Sequence, residues 1–186
     1  RLRQINRADI TAYQDDWLLI ASAEELAESK SRKALAWTVF GLIPFFAKGE
    51  PGAYSTINAR IETLRTSPAW RGPWKRAQRC LVIATGFYEW QTQASGKQPW
   101  FIHCADQETF AFAGLWDSST PPGGEPILSC AIITLPASPL MAQIHNTKLR
   151  EPAILRRDQH ETWLGGSPEE AFACLQPYPD ELLSAW

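Results

Sequence analysis

The segment that decides the fold runs from Cys80 to Trp90 and reads Cys-Leu-Val-Ile-Ala-Thr-Gly-Phe-Tyr-Glu-Trp. It is apolar and rich in β-branched and aromatic residues, which is typical of a buried strand. Three similar segments follow it, at Trp100–Cys104, Phe110–Trp116 and Leu128–Leu135. Turn signals separate them, at Ser95-Gly96, Ala105-Asp106 and Pro121–Gly124. This spacing predicts a central, mostly antiparallel sheet or a barrel-like block of strands.

Helix signals precede this strand block. Ser22 followed by Glu25 is a capping-box pattern, and it predicts a helix over Ala23–Lys33. The strand-like run Ala34–Phe40 follows and stops at Gly41.

Helix signals also follow the strand block. Asp158 with Glu161 predicts a capped helix over Gln159–Leu164, and Gly165 supplies its end. The segment Ser167–Glu170 opens another helix, with proline at the first helical position. Helices on both sides of a central sheet make an α+β domain. Since we find no repeat or long linker, residues 1–186 are predicted to form a single domain.

Composition excludes disorder and a general attraction to polyanions. Hydrophobic residues make up 45% and charged residues 20% of the 186 residues, and the net charge is −2. The segment Arg60–Arg79 nevertheless holds six basic residues against one acid, Glu62. A local basic face suits a short stretch of phosphates, although a solvated helix face is the commoner cause of such a run. The nine tryptophans fit either an aromatic core or a cleft that stacks flat ligands.

The four cysteines, Cys80, Cys104, Cys130 and Cys174, are widely spaced without a C-x-x-C pair. We therefore expect no zinc site and no other cofactor. No secretory signal opens the chain, which favours a cytoplasmic location. The longest apolar run is too short to cross a bilayer, so no membrane association is expected, and we expect a monomer.

Three polar positions interrupt apolar or turn-like surroundings, at Asn58, Glu89 and His145. Each has an ordinary explanation: a turn or cap for Asn58, an outward strand position for Glu89, and a satisfied histidine for His145. Together they supply an amide, a carboxylate among aromatic residues and an imidazole, which form an acid–base set without a nucleophile.

The order of several motifs is more specific. They are Gly-Leu-Ile-Pro-Phe-Phe-Ala-Lys at 41–48, Ile-Asn-Ala-Arg-x-Glu-Thr at 57–63, Gly-Phe-Tyr-Glu-Trp at 86–90, Pro-Trp-Phe-Ile at 99–102, Phe-Ala-Gly-Leu-Trp at 112–116, Ile-His at 144–145 and Pro-Tyr-Pro at 177–179. This series resembles the SOS response-associated peptidase family, whose members capture abasic sites in single-stranded DNA. In that family the nucleophile is the cysteine of an initial Met-Cys-Gly-Arg. Arg1 resembles the arginine of that tetrapeptide, so we expect the cysteine two positions before it.

The resemblance implies a role for each polar residue. Asn58 orients the N-terminal cysteine and the sugar, Glu89 moves protons to and from the amine, and His145 protonates the sugar ring oxygen. The amine, whose reference pKa is about 8, condenses with the ring-opened aldehyde. The thiol then closes a thiazolidine, a covalent DNA–protein crosslink. The same site is implied to process its own N-terminus, as a thiol autopeptidase.

The resemblance also implies a DNA-binding surface. Arg1, Arg60 and Arg150 correspond to arginines that contact phosphates. Phe45 and Phe46 stand where the family places aromatic residues against the bases, and core packing after a turn is the alternative for these two rings.

The match departs from the family pattern in three places. The usual Y-N-x-A-P segment is absent, and Asp15–Ala21 occupies its region. The pattern H-x-R-M-P is three residues longer here, with Arg150 as the counterpart of its arginine and Lys148 as the alternative. The chain also ends at Trp186, before the family's final P-V-S segment, as in a divergent or phage-related member.

Two alternative functions stay open: a non-catalytic binder of single-stranded DNA with the same fold, and a cysteine peptidase that acts on other proteins.

Overall fold

The structure, a computed structural model, describes residues 16–22, 33–52 and 55–186. The strands are β1 Asp16–Ser22, β2 Lys33–Phe40, β3 Asn58–Arg60, β4 Arg79–Ala84, β5 Phe87–Gln93, β6 Gly96–Cys104, β7 Phe110–Ser119, β8 Ile127–Pro136, β9 Arg150–Pro152, β10 Ile154–Leu155 and β11 Leu183–Ala185. The α-helices are α1 Pro68–Lys75, α2 Pro139–Ile144, α3 His160–Gly165 and α4 Pro168–Ala173. Single 3₁₀ turns lie at Phe45–Ala47, Ile61–Thr63, Arg157–Gln159 and Asp180–Leu182. None of the helices in these ranges is long and apolar enough to cross a membrane.

The strands form two sheets. The larger has the order β10-β7-β4-β1-β2-β8-β3, with β9 added to β8, and it curls until β7 pairs with both β4 and β8. β2 and β8 pair over only two residue pairs, so the curled sheet is not closed along the full length of its strands. The smaller sheet has the order β11-β6-β5. The predicted α+β class is confirmed, and the predicted strand block is two sheets in place of a closed barrel.

Most strand pairs are antiparallel, as predicted, and two pairs are parallel. β2 and β3 both run parallel to β8. β3 pairs with the second half of β8, where Asn58 lies beside Ile132 and Arg60 beside Thr134. This half of β8 therefore lies beside Arg60, one of the predicted DNA-binding residues.

The apolar segment Cys80–Trp90 is divided between the two sheets. β4 ends at Ala84 and β5 begins at Phe87. A Cβ atom at Gly86 would overlap the ring of Phe101, so glycine is required at this close approach. The break carries the chain from the larger sheet into the smaller one.

The core is built mainly from the larger sheet and the C-terminal helices. Trp163 of α3 is fully buried, and its indole N–H donates to the Cys80 carbonyl oxygen at 2.9 Å. The ring of Trp74 lies 6.2 Å from that of Trp163. Trp90 and Trp186 are instead half exposed or more. Most of the described tryptophans are therefore core residues, which agrees with the first of the two interpretations.

The helix predictions have mixed outcomes. The helix predicted to open at Ser167–Glu170 is confirmed: α4 begins at Pro168, and both reciprocal hydrogen bonds of a capping box join Ser167 and Glu170. The predicted cap at Asp158 is wrong, because its carboxylate pairs with the neighbouring Arg156 and α3 begins at His160. The predicted helix over Ala23–Lys33 lies outside the described residues, except for Lys33, which begins β2.

Candidate active site

Glu89 and His145 lie together although 56 positions separate them in the sequence. Glu89 is on β5, and His145 is the residue that ends α2. The imidazole Nδ1 lies 3.5 Å from the Glu89 Oε1, and both side chains are mostly buried. Of the three predicted catalytic residues, the structure brings these two into contact.

A carbonyl oxygen defines the proton position on His145. The Nδ1 lies 2.9 Å from the Arg150 carbonyl oxygen, and a carbonyl only accepts hydrogen bonds. Nδ1 therefore carries the proton in the neutral ring, and Nε2 is left with a lone pair. The ring can bind a further proton at Nε2 and donate it there.

The surroundings of Glu89 change its acidity. Burial raises the pKa of Glu89, and the nearby charge of His145, a hydrogen bond from the Trp90 main chain and the charge of Lys148 act in the opposite direction. Burial is the largest of these effects. Glu89 consequently keeps its proton to a higher pH than an ordinary glutamate, which suits a group that exchanges protons.

An amide side chain fixes His145 against the strand of Glu89. The Asn146 carboxamide accepts from the Thr92 main-chain N–H and donates to the Thr92 carbonyl oxygen, both at 2.9 Å. Gln91 donates to the Gln143 carbonyl oxygen at 2.8 Å. β5 is an edge strand of the smaller sheet, so its outer main-chain groups are available for these bonds. Asn146 was not among the residues predicted for the site, although it directly follows His145.

Arg150 on β9 lies beside the second half of β8. Its guanidinium donates to the Thr134 carbonyl oxygen at 2.7 Å and to both carboxylate oxygens of Glu62, one of them at 3.1 Å. The bond from Arg150 lowers the pKa of Glu62, and the charge of Arg60 lowers it further. Arg60, Glu62 and Arg150 thus form one charged group.

β8 brings Asn58 and Arg60 of β3 close to Arg150 of β9. Asn58 and Arg60 alternate with buried Ala59 on β3, so both side chains are on the solvent face. β3 and β9 lie on the two sides of the β8 segment Ile132–Pro136. Within the described residues, Asn58 makes no hydrogen bond to Glu89 or His145.

Phe45 and Phe46 are surface residues. The two residues are 57% and 53% exposed, and their rings meet edge to face with centres 5.6 Å apart. This exposure rules out core packing, the alternative interpretation of the pair, and leaves both rings accessible to a ligand. Arg1 lies outside the described residues.

The predicted basic face of Arg60–Arg79 is smaller than its sequence suggests. Arg79 is buried, Arg76 pairs with Asp117, and the guanidinium carbon of Arg65 lies 4.1 Å from the centre of the Phe172 ring. Of the six basic residues, these three are therefore engaged with the protein itself. The segment Arg60–Arg79 therefore does not form a uniform basic surface.

The four cysteines are buried and free. Burial raises the pKa of all four thiols, that of Cys130 to about 12. Because the thiolate is the reactive form, these side chains are poor nucleophiles. The described ranges also contain no group of three or more His, Cys, Asp or Glu side chains placed to hold a metal ion.

Comparisons with known proteins give the site a context. The family model described as "SOS response associated peptidase (SRAP)" matches residues 5–186. The chain is 38% identical over 151 residues to abasic site processing protein YoqW of Bacillus subtilis, covering 79% of this chain and 66% of YoqW, slightly less than two thirds. It is 35% identical over 180 residues to abasic site processing protein YoaM of the same organism, covering 94% of this chain and 78% of YoaM. A crystal structure of a protein from Bacteroides thetaiotaomicron has a TM-score of 0.81 and 28% identity, covering 99% of this chain and 83% of that one. The chain belongs to the SOS response associated peptidase family.

Proposed function

We propose that this protein captures abasic sites in single-stranded DNA as a covalent adduct of an N-terminal cysteine. The observation that carries the proposal is the 3.5 Å contact between His145 and Glu89, a carboxylate whose pKa is raised by burial. The names of YoqW and YoaM, both abasic site processing proteins, support the choice of substrate.

The reaction needs proton transfers but no external oxidant or reductant. The α-amine adds to the aldehyde carbon of the ring-opened sugar, and loss of water gives an imine. The thiolate then adds to the imine carbon, and the nitrogen takes up a proton, which yields a thiazolidine. Glu89 exchanges protons with the amine during addition and dehydration. His145 donates from Nε2 to the sugar ring oxygen as the ring opens, while its Nδ1 keeps its own proton, hydrogen-bonded to the Arg150 carbonyl oxygen.

DNA binding uses two kinds of contact. Arg60 and Arg150 lie on either side of β8 and present positive charge to phosphates. Phe45 and Phe46 offer ring faces to unpaired bases, and each such contact contributes about 1–3 kcal/mol whatever the base. Asn58, on the same strand and face as Arg60, has the role of orienting the N-terminal cysteine and the sugar in this proposal.

The test is adduct formation by the protein with its natural N-terminus. Incubation with single-stranded DNA that contains one abasic site should give a product that survives denaturation, with YoqW as a parallel reaction. Replacing Glu89 with Ala should slow adduct formation about 100-fold or more, as expected for loss of a general acid–base group, and should leave DNA binding largely intact. Glu125→Ala removes an exposed carboxylate and should react like the wild type. If YoqW reacts and this protein binds abasic and intact DNA equally without an adduct, the non-catalytic alternative is correct.

The proposed autopeptidase step has a separate measurement. Mass spectrometry of the purified protein should show a cysteine as the first residue, without the initiator methionine. In a Glu89→Ala variant, retention of extra N-terminal residues would support processing by this site. Cleavage of unrelated peptides, lost when the N-terminal cysteine is blocked, would instead support a peptidase that acts on other proteins.

A further inference from the structure

The segment Ile43–Gly49, which carries Phe45 and Phe46, is bound by three side chains of the larger sheet. Ser129 Oγ accepts from the Ile43 N–H at 2.8 Å, Asp117 Oδ2 from the Phe45 N–H at 2.9 Å, and Ser119 Oγ from the Gly49 N–H at 2.8 Å. Asp117 and Ser129 are direct cross-strand partners on β7 and β8, and Ser119 lies two positions further along β7. All three are buried polar side chains.

Asp117 is the centre of this arrangement. Its side chain is 2% exposed, and its second oxygen, Oδ1, accepts from the Arg76 Nη2 at 3.1 Å and from the Ser118 N–H at 2.9 Å. A buried carboxylate is costly unless it is paired and hydrogen-bonded, so the interactions that compensate Asp117 also bind the main chain of Phe45.

Arg76 contacts Phe45 in a second way. Its guanidinium carbon lies 5.0 Å from the centre of the Phe45 ring, within the range of a cation–π interaction. Arg76 therefore lies against the ring of Phe45 and also pairs with the carboxylate that binds the Phe45 N–H. Main chain and ring are both held by the same ion pair.

We infer that Asp117 is a positioning residue for DNA, which keeps Phe45 and Phe46 ordered and exposed so that unpaired bases stack on them. The inference rests on the proposed function. If the turn were loose, the two exposed phenylalanine rings would fold back onto the protein surface, because this removes apolar area from water. The hydrogen bonds to the main chain of the turn prevent this. Because the turn is ordered before DNA arrives, binding does not bear the entropy cost of ordering it.

The first experiment replaces Asp117 with Asn, which keeps the shape and removes the charge. In the free protein, hydrogen exchange of the Phe45 amide followed by NMR should become about tenfold faster, since a charge-assisted hydrogen bond is lost. Affinity for an undamaged single-stranded oligonucleotide that contains 2-aminopurine should fall about fivefold to tenfold, and the quenching of its fluorescence by stacking should weaken. The salt dependence of binding should not change, because the phosphate contacts of Arg60 and Arg150 remain.

Control variants separate positioning from folding. Ser118→Ala alters the neighbouring side chain and should bind DNA like the wild type. In a protein that carries both Phe45→Ala and Phe46→Ala, adding Asp117→Asn should lower DNA affinity no further, as a double-mutant cycle requires for residues that act together. If the Asp117 variant does not fold, Ser119→Ala loosens the other end of the segment and should weaken binding about twofold to threefold.

Two results would overturn the inference. One is wild-type DNA affinity and quenching in the Asp117→Asn protein; the other is an equal loss of affinity when the two phenylalanines are already absent. Failure of the proposed function looks different, because the wild-type protein itself would then bind no single-stranded DNA or form no adduct. In that case the exchange rate of the Phe45 amide still reports whether Asp117 orders the segment.

Discussion

Arg79 and Arg150 bind the protein in similar ways and lie in very different surroundings. Both guanidinium groups donate to main-chain carbonyl oxygens: Arg79 to those of Trp163 and Gly166, and Arg150 to that of Thr134. Arg79 is 1% exposed, and its guanidinium carbon lies 5.9 Å from the centre of the Trp163 ring. Arg150 instead pairs with Glu62, whose side chain is half exposed.

The difference shows which of the two arginines a phosphate group can reach. A phosphate cannot reach Arg79 without opening the core, whereas it can replace the Glu62 carboxylate on Arg150 at the surface. Arg79 binds the carbonyl oxygens at the end of α3, where a positive charge is favourable, and burial lowers the pKa of its guanidinium. Arg79 therefore serves the fold, and Arg150 is available for a ligand.

The largest expected effect is that of Arg79→Met on stability. The apolar side chain fills similar volume, but two carbonyl oxygens lose their donor, so the free energy of unfolding should fall by about 3 kcal/mol. Urea denaturation measures this. Arg71→Met on the exposed face of α1 is the matched control, and its effect should stay within about 0.5 kcal/mol. Equal stability of the Arg79→Met and Arg71→Met variants would show that Arg79 contributes no more to the fold than an exposed arginine does.

The Arg79 result also marks a limit of sequence reasoning. Apolar, β-prone runs predicted strands at Ala34–Phe40 and Leu128–Leu135 because the signal is local, and these predictions are confirmed. The run of basic residues gave no sign that Arg79 turns inward, since this depends on the carbonyl oxygens of α3, 84 positions away. α1 was missed because Gly72 and Pro73 interrupt its helical pattern.

The candidate site was accessible to sequence reasoning only through the ordered motifs. Periodicity does not relate Glu89 to His145, and their contact depends on the Asn146 carboxamide binding the edge of β5. The support of Phe45 by Asp117 is equally non-local, with 72 positions between them. Side-chain bonds to distant main-chain groups leave no pattern in a sequence, which is why the contacts of Asn146 and Asp117 were not predicted.

Arg150→Gln should weaken DNA binding with little effect on the fold, the reverse of the Arg79 result. Loss of one phosphate contact should lower affinity for single-stranded DNA about fivefold to tenfold and reduce the slope of log affinity against log salt by about 1 unit. Fluorescence anisotropy at several salt concentrations measures both. Arg156→Gln removes an exposed arginine that pairs with Asp158 and is the control. A strong loss of stability with an unchanged salt slope would place Arg150 in the same class as Arg79.

The charge of His145 should move the titration of Glu89. That charge favours the ionised carboxyl and so lowers the pKa of Glu89, against the larger effect of burial. In His145→Gln the opposing charge is gone, so the pKa of Glu89 should rise further, and Glu89 should stay protonated to a higher pH. An NMR titration of the Glu89 side-chain carbon, compared with the wild type, measures the shift. A shift to lower pH would mean that His145 acts on Glu89 by something other than its charge.

Glu62→Gln should have the smallest effect, because it changes the exposed partner of Arg150. The folded-state pKa of Glu62 is lowered by Arg150, so its contribution to stability is present above the ordinary pKa of 4.5 and is lost as the pH falls through the folded-state value. For a half-exposed carboxylate this contribution is well under about 1 kcal/mol.

The effect of Glu62→Gln on DNA binding has the opposite sign. Gln still accepts a hydrogen bond from Arg150, the Thr134 carbonyl oxygen still binds Arg150, and a negative charge next to the path of the phosphates is removed. Affinity should rise about twofold to threefold at low salt, and the gain should vanish at high salt. Glu169→Gln on α4 removes an equal charge from another exposed position and should change neither quantity. Weaker binding by Glu62→Gln would mean that the carboxylate orients Arg150 for the phosphate, and that this arginine, like Arg79, depends on its partner for its geometry.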